Sequence, residues 1–259
     1  MKKKIVLLTL VSVFLLSAMV LTSSAQERIV GVNVDDWFKF GDITVSWSSN
    51  DPNATFPEWL EEMNESEWML MSIVDVSGTN ITFQTVGHYK NGTERIRDGY
   101  IDIDTGDYSE ETNETASMEF MAISANLDVN DTVYTSVDYS TWKINETVVR
   151  TYPDGVRETN HINMTWEYSF TINETEYYVY NSLNYYWDRE SGILVEYYFE
   201  GINQTGEYLT TWSILARITE SNIWVIPEFP TWASMLLVFV TLTIAIAIYK
   251  RRLLKTPIH

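Results

Sequence analysis

The residue types that could do chemistry are few and scattered. Histidines stand at positions 88 and 161 in the middle of the chain, with His259 at its end. A general base or a metal site would need His88 and His161 brought together with a carboxylate, and nothing in their spacing demands that. Asp102, Asp104, Asp107 and Glu110 surround Thr105-Gly106 and offer oxygen ligands of the kind calcium takes. The glycine comes one position early for the twelve-residue helix-loop-helix pattern, and a solvated hairpin turn accounts for the same acids. Asp128, Asn130 and Asp131 form a second acidic loop. The chain has no cysteine, which rules out disulfides, thiolate nucleophiles and zinc-thiolate sites. No serine sits in a Gly-x-Ser-x-Gly elbow and no cofactor motif is present. The expectation is a protein that is not an enzyme and has no cofactor.

Two features remain. Asn-x-Ser/Thr acceptor triplets occur at Asn53, Asn64, Asn80, Asn91, Asn113, Asn130, Asn145, Asn163, Asn173 and Asn203, an excess that predicts N-linked glycans. The second is aromatic: with 10 Trp and 16 Tyr, the chain crowds Tyr177, Tyr178, Tyr180, Tyr185, Tyr186, Trp187, Tyr197, Tyr198 and Phe199 into one short stretch. Such rings line apolar or sugar-binding cavities. They equally pack across strands and fill a core, which is the favoured expectation here.

Strands must position these residues. Met164, Trp166, Tyr168 and Phe170 share one face opposite Asn163, Thr165, Glu167 and Ser169, the two-residue period of a half-buried strand. Trp212, Ile214, Ala216 and Ile218, and the shorter set Ile43, Val45 and Trp47, repeat the pattern. Ser77-Gly78, Asn91-Gly92, Thr105-Gly106, Asp154-Gly155, Ser191-Gly192 and Thr205-Gly206 supply turns. The predicted fold is mainly β: an antiparallel meander forming a curved sheet, half-barrel or sandwich. One short helix is predicted at 55–64, with Thr55 and Glu58 in capping-box spacing and Trp59, Leu60 and Met63 on one face.

Charge and hydropathy then place the unit. All 36 acidic residues lie between Glu27 and Glu228 with only 10 of the 17 basic ones, an excess of 26 negative charges that disfavours nucleic acid and anionic lipid. The other basic residues flank two apolar ends. Lys2 to Lys4, the uncharged run from Ile5 to Leu21 and small residues to Ala25 form a secretory signal at 1–25, or an uncleaved anchor. Residues 231–249 are long enough to span a membrane, and 250–259 form a basic cytoplasmic tail. The expected arrangement is a β-rich extracytoplasmic domain at 27–225, a linker at 226–230 and a single-pass anchor, with the ectodomain outside the cell.

Pro227-Glu228-Phe229-Pro230, the hydrophobic helix and the basic cluster together resemble the PEF-type C-terminal sorting signals of archaeal cell-surface proteins. That resemblance implies processing by a membrane transpeptidase of the archaeosortase class, which leaves the ectodomain on a lipid. The same residues suit a plain single-pass anchor. The strand-turn-strand from Tyr185 to Leu194 looks like hairpins of uncharacterised archaeal surface proteins and, more distantly, of the half-barrel lipoprotein carriers. This implies, as an alternative to a structural or ligand-binding ectodomain, a carrier of lipid or another apolar ligand. An envelope hydrolase using His88 or His161 is the third expectation.

Overall fold

The computed structural model describes residues 27–112, 117–153 and 155–223. The expected signal segment, sorting motif, spanning helix, basic tail and the acceptor Asn113 lie outside the described residues. The chain divides into two compact units, Met1–Ser221 and Asn222–His259, and every described strand and helix belongs to the first. Among the described residues no helix is long and apolar enough to cross a membrane.

The alternating segments pair as the sequence pattern predicts. The elements are β1 (Trp37–Ser49), α1 (Glu58–Glu65), β2 (Ser66–Ser77), β3 (Asn80–Tyr89), β4 (Glu94–Asp102), a 3-10 turn (Val137–Tyr139), β5 (Glu146–Tyr152), β6 (Gly155–Ile172), β7 (Thr175–Asp188), β8 (Leu194–Thr205) and β9 (Tyr208–Ser221). The strands form one open antiparallel sheet in the order β4-β3-β2-β1-β9-β8-β7-β6-β5. Two meanders are thus welded through β1 and β9. A single sheet replaces the expected choice that included a sandwich, because β9 returns to pair with β1 over eleven registered residue pairs instead of stacking above it.

The β6–β7 turn is one that glycine counting misses. Asn173 and Glu174 hold φ of 48° and 66° there, and asparagine tolerates the left-handed region that this tight hairpin requires. The helix also differs from expectation. It starts at Glu58 after Pro57, whose extended backbone forms the cap without a side-chain bond, so Thr55 and Glu58 are not a capping box.

The sheet is bent, as two hydrogen bonds require. Ser109 runs beside the free edge of β4 and accepts from Met118 N at 3.2 Å, while Met121 O accepts from Leu194 N of β8 at 3.0 Å. In a flat sheet these anchors lie six strand spacings apart, about 29 Å. The chain from Met118 to Met121 reaches at most about 11 Å, and with a hydrogen-bonded step of roughly 5 Å at each end it covers about 21 Å in all. Only a sheet whose edges curl toward each other lets so short a segment cross.

That crossing segment, within residues 103–145, is the plug of the core. Met118, Phe120, Ala122, Ile123, Leu127, Val133 and Tyr134 are buried against the concave face. Trp187 of β7 donates its indole N–H to the Phe120 carbonyl at 2.8 Å. Ile123 N donates to Gly192 O at 2.9 Å, a docking that only glycine permits: a side chain at Gly192, where φ is 75°, would begin 2.1 Å from Ile123 O.

Candidate functional site

The registers order the concave face into rows that cross the strands. At one end Trp187 of β7 pairs with Leu194 of β8, and Phe40 of β1 pairs with Ile218 of β9, all four almost fully buried. Toward the opposite end the cover stops. Trp166, Asn181, Gly201, Trp212 and Trp47 make a later row. Tyr168 and Val179, then Phe170 and Tyr177, continue beyond it. On β6 the same inward face passes from Ile162, 2% exposed, to Trp166, Tyr168 and Phe170 at 42%, 50% and 42%. The alternation read from the sequence is therefore correct, but half of the face it creates is floor and not core.

The result is an open aromatic trough. Trp59 of α1, 53% exposed, contacts Trp212 at 5.9 Å and Phe199 at 6.3 Å between ring centroids. Phe199 lies 6.3 Å from Trp166 at 24°, Tyr168 stacks on Phe170 at 15°, and Phe170 on Tyr177 at 4° and 4.9 Å. Rings that stack on their neighbours use their faces on each other. What they offer a ligand is rims of C–H, a surface that suits an aliphatic chain better than the stacked face of a sugar.

The trough carries polar groups that the sequence reading did not single out. Asn181 is 7% exposed on the inward side of β7. The indole N–H groups of Trp47 and Trp212 are buried and have no acceptor among the described residues. Gly201 is the close-approach point: a methyl there would lie 2.2 Å from Trp212 Cζ2 and 2.7 Å from Asn181 Oδ1. A signal existed in the chain. Asn181 interrupts the otherwise apolar phase Tyr177, Val179, Leu183, Tyr185.

Beside α1 lies a cavity of about 280 Å³ whose walls include Trp59, Met63, Met69 and Arg97. Its charges are already matched. Glu62 accepts from Arg97 Nη2 and from the Tyr89 hydroxyl, both at 2.5 Å, and Arg97 also pairs with Glu111. Burial works against the Glu62 carboxylate, but the Tyr89 hydroxyl and the two guanidiniums of Arg97 and Arg95 outweigh it and hold the carboxyl below its ordinary value. In the plug, between the buried Met118 and Phe120, partial burial pushes the Glu119 carboxyl up.

The other candidates do not assemble. His88 sits on β3, stacked on Trp68 at 4.8 Å and beside Glu67 and Glu94. His161 sits on β6, stacked on Tyr186 at 4.2 Å, with Glu146 Oε1 and Asn184 Oδ1 each 3.0 Å from its ring nitrogens. The strand order keeps the two apart. Asp102 is spent on its own turn, accepting from Asp104 N, Thr105 N and Thr79 Oγ1, while Asp104 pairs with Arg28. Asp107 is exposed, and among the described residues no group of three or more His, Asp or Glu could hold a metal ion.

Of the nine described acceptor asparagines, Asn53, Asn91, Asn130, Asn145, Asn163, Asn173 and Asn203 are exposed, and Asn64 and Asn80 are half-buried. No family model matches the chain. No curated protein matches it either.

Proposed function

We propose that the chain is a membrane-anchored, N-glycosylated cell-surface protein whose non-enzymatic ectodomain binds an apolar ligand in a half-barrel trough. One observation carries the binding reading: the aromatic face of β6 that the plug leaves uncovered. A soluble domain gains nothing by leaving a row of Trp, Tyr and Phe in water, and an open apolar patch of this kind marks a binding surface. The outside location rests on the basic ends, the apolar segments and the excess of acceptor triplets. The accessibility of those asparagines is compatible with glycan attachment. The sorting-signal resemblance adds an archaeosortase-like enzyme as a processing partner, and the acidic surface argues against nucleic acid.

Two experiments test this. Membranes carrying the full chain are irradiated with an alkyl diazirine, and labelled peptides are mapped by mass spectrometry. Label is expected on the peptide holding Trp166 and Phe170, and label confined to the apolar termini overturns the binding reading. Intact mass measurement of the mature protein tests the rest. Unmodified asparagines together with an intact signal segment would remove the glycoprotein and surface assignments.

A further inference from the structure

The trough is apolar over most of its floor, yet one row across it carries two unsatisfied indole N–H groups. Asn181, the Trp212 indole and the Trp47 indole lie on neighbouring strands in register, with Trp47 directly opposite Trp212 and Gly201 letting Trp212 and Asn181 converge. The two indole N–H groups are buried and have no acceptor among the described residues, and Asn181 beside them is 7% exposed. Burying an N–H without an acceptor costs about 1–3 kcal/mol, so such groups are ordinarily paired. Two in one row, with the Asn181 amide beside them at the boundary between filled core and open trough, mark the place where a ligand brings its own polar atoms.

From this geometry we infer that the trough takes a neutral single-chain amphiphile, with its chain along β6 and its oxygen-bearing head against Asn181, Trp212 and Trp47. The inference rests on the proposed binding function and assigns the ligand's class. Each part of the ligand follows from what faces it. From Trp166 to Ile172 the strand runs about 20 Å, at roughly 3.3 Å per residue, and all its inward side chains are apolar and open, which fits an extended hydrocarbon tail. The ring rims exposed there disfavour a sugar, which stacks on faces. Indole supplies donors only, and the asparagine amide adds two donors beside its one carbonyl acceptor, so donors outnumber acceptors and the head needs acceptor oxygens: an ester, ether or hydroxyl. It must also be uncharged. The acids on α1 beside the row are Glu58 and Glu61, and the arginines next to α1 are already held by Glu62 and Glu111. A carboxylate or phosphate head would meet repulsion there.

The test uses the full-length chain in membranes and three photoprobes that share one diazirine-bearing chain. These are a monoacylglycerol, the corresponding fatty acid and the headless hydrocarbon. Labelling of the peptide holding Trp166 and Phe170 is measured against probe concentration, in the wild type and in Trp212→Phe and Asn181→Leu. The monoacylglycerol is expected to half-saturate at a lower concentration than either other probe. Each substitution should weaken it about fivefold, the worth of one hydrogen bond, and leave the hydrocarbon unchanged. If the hydrocarbon labels the trough but neither substitution affects the monoacylglycerol, or if the fatty acid binds tightest, the head-group assignment is overturned while the trough reading stands. If no probe labels the trough, or if a gluco-oligosaccharide displaces the label, the trough reading falls and takes the inference with it.

Discussion

Replacing Trp187 and Trp212 in turn by phenylalanine should give opposite results from the same chemical change. At Trp187 the indole is fully buried and its N–H satisfies the carbonyl of Phe120. Phenylalanine there gives up about 40 Å² of buried apolar surface, worth about 1 kcal/mol at ~25 cal/mol per Å². It also leaves a buried carbonyl without a donor, at about 1–3 kcal/mol. The expected destabilisation is about 2–4 kcal/mol. Trp212 is only partly buried, and its N–H has no acceptor among the described residues. The apolar loss is about half as large, and removing an unsatisfied donor returns about 1–3 kcal/mol. Trp212→Phe should therefore leave the free protein unchanged or more stable by up to about 2 kcal/mol. Pulse proteolysis of the full chain across a urea series reads both values without requiring the domain to be isolated. Equal losses in the two variants would refute the claim that the trough row is unsatisfied while the core row is paired.

Other consequences can be checked with the same material. Burial raises the Tyr134 and Tyr185 hydroxyls well above their ordinary value and raises Tyr197 to about 12. Their folded values lie above the unfolded one near 10, so the stability they contribute is complete below about pH 10 and is lost as pH climbs through the folded values. Tyrosinate absorbance should then show a late step that coincides with unfolding, and a simple non-cooperative titration would count against it. Glu196, with 5% of its side chain exposed, holds both Arg150 and Arg217, at 2.7 and 3.2 Å. Glu196→Gln should cost about 1–3 kcal/mol by urea melting, less than a fully buried pair because both guanidiniums still reach water. Gly192→Ala forces a left-handed alanine against Ile123 O and should lower stability by more than about 2 kcal/mol, with faster amide exchange at Ile123 as the local signature. The Glu62 carboxyl is held below its ordinary value, so its contribution is present above about pH 4.3 and is lost as pH falls through the folded value. Glu62→Gln should accordingly flatten the acid limb of the stability profile.

Much of the strand pattern was legible in the chain because a strand's side chains alternate strictly. Once Met164, Trp166, Tyr168 and Phe170 fall in phase, their common face is fixed whatever the strand pairs with. Turn chemistry placed hairpins at Ser77-Gly78, Asn91-Gly92, Ser191-Gly192 and Thr205-Gly206 for an equally local reason, and it missed Asn173-Glu174 because no glycine marks that turn. The plug was not legible. Met118 to Leu127 has neither period, since an irregular buried segment satisfies its backbone by bonds to distant partners such as Gly192, Arg189 and Ile29.

By itself, then, the sequence determined the local things: which residues are strand, which share a face, where most hairpins turn, and how charge and hydropathy divide the chain. Only the tertiary structure decided that β9 closes back onto β1, that the sheet bends, and that residues 117–135 cover one end of its concave face and not the other. Periodicity says that a face is apolar, but whether that face meets protein or water depends on what lies above it. That is set by contacts between residues about a hundred positions apart, and no local pattern encodes it.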